Sequence, residues 1–223
     1  MNMRAHYIKG QEYRSEPRQP GVSRATAAKP AIVKSVVYDE QMAQALRALA
    51  GSSKRRDDVA TLFREGSVGV ELGVAGGDFS QRILERSNCA YLYSIDMWAG
   101  DRGHGMDQYR EAIVRLAPYR ERNATLRMRF DEALPLFDEH SLDFIYVDGY
   151  AHDGELDGQT FRDWYPKLKA GGIIAGDDYH ADWPLVVAAV DAFVADNGLE
   201  LHVIDCREDS WNSKYPTWYA MKP

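Results

Sequence analysis

The residues best equipped for chemistry in this sequence are carboxylates, and they recur at one kind of place. Glu71, Asp96 and Asp148 each fall where an apolar run ends, and Asp177 with Asp178 ends another. A carboxylate accepts hydrogen bonds from hydroxyls, attracts hard cations and takes up protons. A single Asp in such a place serves equally well as a helix cap. Four run ends sharing the feature call for a common purpose. Three histidines lie close by in sequence: His152, four residues past Asp148, then His104 and His180, each in a loop beyond another of these runs. Histidine, with an unperturbed pKa of ~6.5, is the side chain best suited to exchange a proton near neutrality. A histidine exposed on a loop without a catalytic role is the plainer reading for each.

A glycine-rich turn completes the set. Glu71-Leu72-Gly73-Val74-Ala75-Gly76-Gly77-Asp78-Phe79-Ser80 leaves an apolar run and enters a helical pattern. Glycines there allow a ligand to approach the backbone closely. A nicotinamide site would read G-x-G-x-x-G, but Ala75 stands at the second glycine, where backbone should meet pyrophosphate. S-adenosylmethionine (SAM) has no phosphate. Its amino-acid end suits a compact turn, and its ribose suits a separate acid such as Asp96. Taken alone, the turn is compatible with SAM or with another nucleotide.

The elements that must hold these residues alternate. Residues 67–72, 91–95, 126–129, 142–147, 172–175, 199–204 and 217–221 read as strands. Helical patterns fall between most of them, at about 79–86, 107–116, 131–137, 155–168 and 184–197. Such alternation predicts an α/β fold, a Rossmann-like, mainly parallel sheet covered by helices on both faces. The last two strands lack an intervening helix and can pair antiparallel at the sheet's end. In open parallel sheets, ligands sit beyond the carboxyl ends of the strands, where these acids cluster. Ahead of the sheet, Met42, Ala45, Leu46 and Leu49 predict a helix that Asp39 caps and Gly51 stops, and residues 57–64 predict a second, short one.

The composition narrows the choices. A chain of 223 residues with 45% apolar content supports one full-sized core, so the main domain is expected over 39–223. Residues 1–38 are polar and lack periodicity, which predicts a flexible leader, with a lid or dimer arm as the sharper reading. The first 34 residues carry a net +5, leaving -12 for the rest. An acidic body argues against a broad nucleic-acid surface, so no nucleic-acid partner is expected outside the leader. No apolar stretch reaches the ~20 residues of a membrane span and no signal-like run opens the chain, so a cytoplasmic protein is expected. Cys89 and Cys206 are too few for a disulfide framework and are given no role.

Four segments together resemble the class I SAM-dependent methyltransferases: VELGVAGGDFS (70–80), YSIDMW (93–98), DFIYVDG (143–149) and LKAGGIIAGDDY (168–179). Within that class they are similar to the metal-dependent O-methyltransferases that act on macrolide and aminocoumarin sugars. The resemblance runs from about Val68 to Tyr179 and implies a seven-stranded sheet with an antiparallel last strand. It implies that Gly73, Val74, Gly76 and Ser80 hold the methionine end of SAM, supported by Glu71. Asp96 and Met97 would meet the ribose, Phe130 would lie near adenine, and Asp148 would border the cofactor.

The resemblance further implies that Asp148, Asp177 and Asp178 ligate Mg2+ or another divalent cation, and that His152 with Asp148 carries the catalysis. Physical chemistry supports a cation: carboxylates ~4 Å apart repel by ~4 kcal/mol at an effective dielectric of ~20, so a converged set needs a cation or protons. Against it, adjacent Asp177 and Asp178 point apart if both lie on a strand. Related enzymes often read Asp-Gly-Asp-His, whereas here Asp148-Gly149-Tyr150-Ala151-His152 moves the histidine by one. Trp98, Tyr179, Trp183 and Trp211 are candidate walls for a small hydroxylated acceptor, a sugar or glycosylated natural product. A catechol-type acceptor is the nearest alternative. A NAD(P)-dependent oxidoreductase is the main rival, since Tyr165 and Lys169 have the Tyr-x-x-x-Lys spacing of short-chain reductases, although Pro166 interrupts the helix that pair requires. The leader makes a homo-oligomer a further expectation.

Overall fold

A computed structural model of the chain describes residues 40–52, 55–100, 103–206 and 214–223. The expected leader, the Asp39 cap and Trp211 lie outside the described residues. Among those described, seven strands form one sheet: β1 (Val68–Leu72), β2 (Tyr91–Asp96), β3 (Asn123–Arg127), β4 (Leu142–Val147), β5 (Leu168–Gly176), β6 (His202–Ile204) and β7 (Thr217–Met221). Their order is β3-β2-β1-β4-β5-β7-β6. β1 through β5 pair in parallel, while β7 inserts between β5 and β6 and runs antiparallel to both. The expected architecture, with its antiparallel last strand, is therefore present.

Alternation along the central strands explains why both faces are covered. On β4, Phe144 and Tyr146 face one side and Ile145 and Val147 the other, all essentially inaccessible to water. The first pair packs with Phe79 and Ile83 of α2 (Asp78–Arg86) and with Leu46 of α1 (Glu40–Ser52). Phe63 stacks flat on Phe144 with ring centroids 3.9 Å apart. The second pair shares a core with Phe161 and Trp164 of α6 (Gln159–Trp164) and with Val190 and Phe193 of α7 (Pro184–Asp196). α3 (Met106–Leu116) leaves its polar side exposed and buries Ala112 and Leu116.

Several expectations about elements need correction. β5 begins at Leu168, four residues before 172, and β6 only at His202, three after 199, while the helix expected over 131–137 is α4 (Phe130–Ala133) followed by a 3-10 turn, Leu134–Leu136. β3 begins at Asn123, three residues early, because the Asn123 side chain is buried and donates to Leu92 O (3.0 Å) and Ser94 Oγ (2.8 Å), so a polar residue occupies a strand position. α1 continues through Gly51 to Ser52, whose hydroxyl bonds the Ala48 carbonyl. The expected helix over 57–64 is a 3-10 segment, Arg56–Leu62. The single helix expected over 155–168 is broken: α5 (Gly154–Asp157) is one turn in which Gly154, Glu155, Leu156 and Asp157 all have φ near +55°, and α6 starts only after Gly158. Left-handed backbone at non-glycine residues costs roughly 1–2 kcal/mol each, so something must hold it. That anchor is Glu155, buried with its carboxylate accepting the Tyr150 N–H at 3.0 Å.

Hydrogen bonding carries the sheet one residue beyond the strand ends on one side. Gly73 N–H donates to Ile95 O (2.9 Å), Asp148 N–H to Leu72 O (2.8 Å) and Asp177 N–H to Val147 O (3.2 Å). These bonds fix the first residue past β1, β4 and β5 on a common rim. Chain order reverses between β1 and β4, so that rim includes the switch point of the sheet.

Candidate active site

A cleft of about 440 Å³ opens over this rim, within the ~300–1,000 Å³ usual for small-molecule sites. It brings together most of the residues expected from sequence. Glu71, Gly73, Val74, Asp96, Met97 and Phe130 line one part of it. Asp148, His152, Asp177 and Asp178 line it as well. Gly76 and Ser80 do not reach it. The Gly76 carbonyl accepts from Arg115 Nε at 2.9 Å, and the buried Ser80 hydroxyl bonds Glu71 and, at 2.8 Å, Ser94 Oγ. Both support the turn from behind.

The turn itself has little freedom. Gly73 sits at φ +98°, and a Cβ there would lie 1.8 Å from the Asp148 carbonyl oxygen. Any side chain would force β1 and β4 apart where they diverge. Asp96 then clamps the turn: its Oδ2 accepts from Val74 N and Ala75 N, and its Oδ1 from Trp98 N, each at 3.0 Å. Of about four acceptor positions on a carboxylate, three are thus taken by backbone. Asp96 is a structural latch as well as a candidate ribose ligand, a double duty its position in the sequence did not reveal.

Glu71 is fully enclosed. Burial pushes its carboxyl up to about 8, against the opposing pull of the Ser80 hydroxyl and the Arg56 charge. It is therefore protonated in the fold at neutral pH and ionised in the unfolded chain. Between its unfolded value near 4.5 and about 8 the folded state binds the extra proton, so stability falls as pH rises through that window and levels off above it. Glu71→Gln, which imitates the neutral acid, is expected to flatten this slope. Urea midpoints at pH 5 and pH 8 should differ less in the variant than in the parent, by the equivalent of a few kcal/mol at most. An unchanged slope would place the proton elsewhere.

The acidic centre is built differently from the expected metal cage. Asp148 and Asp177 converge, but they converge on Arg56. One guanidinium nitrogen, Nη2, donates to Asp148 Oδ2, the other, Nη1, stands 3.2 Å from Asp177 Oδ2, and Nε donates to the Tyr146 hydroxyl at 2.9 Å. Its Cζ lies 4.0 Å above the Phe79 ring. Among the described residues, no three His, Cys, Asp or Glu side chains are arranged to hold a metal ion. The residues present do not fit the expected Mg2+ site of Asp148, Asp177 and Asp178, because a guanidinium stands where its charge would. Burial raises the Asp178 carboxyl, and the neighbouring Asp148 and Asp177 charges push it the same way. Its φ of +62° sets it off the path of β5, so the two adjacent acids do not simply alternate along a strand.

The remaining wall is aromatic. His152 meets Trp183 edge-on with ring centroids 4.7 Å apart, and Trp183 meets Tyr215 at 5.8 Å. Among the described residues, the buried Trp183 indole N–H has no hydrogen-bond partner. His104 also lines the cleft, whereas His180 does not. Two other expected walls fall away. Trp98 is buried, packs on Tyr109 and donates to the Ala75 carbonyl (2.8 Å), so it is part of the core beneath the turn. Tyr179 bonds Asp191 at 2.7 Å, outside the cleft. Arg56, Lys214 and Tyr215 line the cleft without having been singled out in the sequence. The reductase pair is not assembled: Tyr165 opens a 3-10 turn, and Lys169 on β5 bonds Asp143.

Comparison with known proteins agrees with this geometry. Residues 70–179 match the methyltransferase domain family. Uncharacterized protein y4gI of Sinorhizobium fredii is 29% identical over 118 residues, covering 49% of this chain and 13% of that protein; this chain thus spans a small part of its length. Among solved structures, the O-methyltransferase from Bacillus cereus in complex with SAH superposes with a TM-score of 0.56 at 12% identity, covering 82% of this chain and 90% of that one. The precorrin-6y C5,15-methyltransferase of Geobacter metallireducens gives 0.56 at 12% identity, covering 75% and 87%. At such identities these two likenesses speak for the fold. The family match over residues 70–179, the turn and the sheet order agree with one another, and the sheet has the fold of the class I, SAM-dependent methyltransferases.

Proposed function

We propose that the chain transfers the methyl group of SAM to a hydroxyl of a small-molecule acceptor, a sugar or glycosylated natural product. One observation carries this reading: a single cleft joins a clamped glycine turn to a wall where Asp148, His152 and Trp183 stand together. On this reading the turn from Gly73 holds the amino-acid end of SAM, Asp96 and Met97 the ribose, and Phe130 the adenine side. Asp148 and His152 meet the acceptor.

The chemistry asks little of the protein beyond alignment and a proton acceptor. The sulfonium already activates the methyl carbon. The acceptor oxygen attacks it as the carbon–sulfur bond breaks, leaving S-adenosylhomocysteine as a neutral thioether. The proton of the attacking hydroxyl passes to the imidazole of His152, while Asp148 accepts a hydrogen bond from a second hydroxyl of the acceptor and holds it in line. No step is routed through a metal ion. Trp183 and Tyr215 offer flat faces for stacking, and the unpartnered Trp183 N–H offers a donor to an oxygen-rich acceptor. A catechol would stack on the same walls and is the second acceptor class to try.

The test is a panel of sugars, glycosides, catechols, amines and RNA incubated with methyl-labelled SAM. Label is expected on oxygen in a sugar, glycoside or catechol product. Label found only on nitrogen or carbon, or confined to nucleic acid, would overturn the proposal.

A further inference from the structure

The guanidinium at the centre of the cleft has no counterpart in the expected ligand set, and its surroundings are built for it. The 3-10 segment Arg56–Leu62 places Arg56 at its first position, and α2 and β4 supply the two rings, Phe79 and Tyr146, that enclose the side chain. Only 7% of that side chain is exposed. Each edge of the guanidinium plane has a partner: Nη2 has Asp148, Nη1 has Asp177, and Nε has the Tyr146 hydroxyl. An ionised side chain is rarely buried this deeply unless anions compensate it, and a cluster of carboxylates is equally unstable without a cation. Here the Arg56 charge is met by both carboxylates, and each carboxylate has that one cation beside it. The planar fork also sets the direction of the carboxylates it pairs with, as a spherical ion does not.

Asp148 is left partly open, with 28% of its side chain exposed against 12% for Asp177. Arg56 binds Asp148 through Oδ2, and among the described residues no hydrogen bond reaches Oδ1, which is available to a group in the cleft. One positive charge thus serves two carboxylates, and burial holds the Asp177 carboxyl up to about 7 against the pull of Arg56.

We propose that Arg56 takes the place of a divalent cation in this site: its guanidinium compensates Asp148 and Asp177 and orients Asp148 toward the acceptor. Arg56 is thus a positioning residue, acting through Asp148. The charge replacement stands on the ion pairs alone. Only the orientation of Asp148 toward an acceptor rests on the function proposed above, so the test reads cation binding instead of turnover.

The experiment is a Mn2+ titration of the full chain by calorimetry and electron paramagnetic resonance, on the parent, Asp177→Asn and Arg56→Met. The parent is expected to show no saturable site below about 1 mM that depends on Asp177. Arg56→Met, which leaves the acids uncompensated, is expected to bind Mn2+ at least tenfold more tightly than the parent and to be stabilised by it against heat. A saturable site in the parent that Asp177→Asn removes would overturn the proposal. So would a folded Arg56→Met that gains no site, since the acids would then need no cation. Should Arg56→Met fail to fold, the comparison of the parent with Asp177→Asn decides the matter. A site indifferent to Asp177→Asn lies elsewhere and leaves the acids to Arg56, as proposed.

Discussion

Replacing Asp96 with Ala is expected to weaken SAM binding by at least about 100-fold and to destabilise the fold as well. The ligand loss follows from two effects that add. One is the loss of the acid proposed to meet the ribose hydroxyls, a charge-assisted hydrogen bond worth about 1.5–3 kcal/mol. The other is the release of the turn, because Val74 N, Ala75 N and Trp98 N all lose their acceptor. Each buried donor left unsatisfied costs about 1–3 kcal/mol, though water entering the cleft recovers part of this. The net drop in unfolding free energy should be about 2 kcal/mol or more. Asp96→Asn retains one acceptor oxygen and should fall between parent and Ala. Calorimetric titration of SAM together with urea unfolding separates the two effects. An Asp96→Ala protein with parental affinity for SAM would remove Asp96 from the cofactor site.

The second large effect is expected at His152. His152→Ala should lower kcat by about 10²–10⁴-fold, the usual worth of a positioned general base, with the affinity for SAM unchanged within about twofold. The separation is expected because His152 packs against Trp183 on the aromatic wall, whereas the proposed cofactor contacts come from the glycine turn, Asp96 and Met97. The loop that carries it is held from beneath by Glu155, which accepts the Tyr150 N–H, so removing the imidazole leaves the backbone of the loop in place. Steady-state kinetics beside His104→Ala form the control. If His104→Ala abolishes turnover and His152→Ala leaves it intact, the proton goes to the other histidine that lines the cleft.

Much of this arrangement was readable from residue types. β4 and β7 have the bounds expected of them because buried strands read as unbroken apolar runs. The acids at the ends of β1, β2, β4 and β5 marked the rim because a parallel sheet presents its carboxyl ends together. What escaped reading depends on contacts between distant segments. Arg56 belongs to the run Lys54-Arg55-Arg56-Asp57-Asp58, which by composition is a solvated helix start. Only folding carries its guanidinium to Asp148, 92 residues away. Trp98, in what looked like an open loop, is buried because the Asp96 latch folds the backbone back under the turn. The break lies between two glycines, Gly154 and Gly158, that the single expected helix passed over, and the inward turn of the polar Glu155 depends on the Tyr150 N–H it meets in the fold. The walls of the acceptor side were the least legible part, since Trp183 and Tyr215 come from separate loops that sequence spacing does not relate.

What the clamped turn from Gly73 holds decides between SAM and a nicotinamide cofactor. Purified chain titrated by calorimetry with SAM and, separately, with NADH and NADPH is the most direct measurement. Stoichiometric binding of SAM, weakened at least about 100-fold by Asp96→Ala and with no heat from either nicotinamide, is the predicted result. Binding of a nicotinamide cofactor without binding of SAM would contradict it.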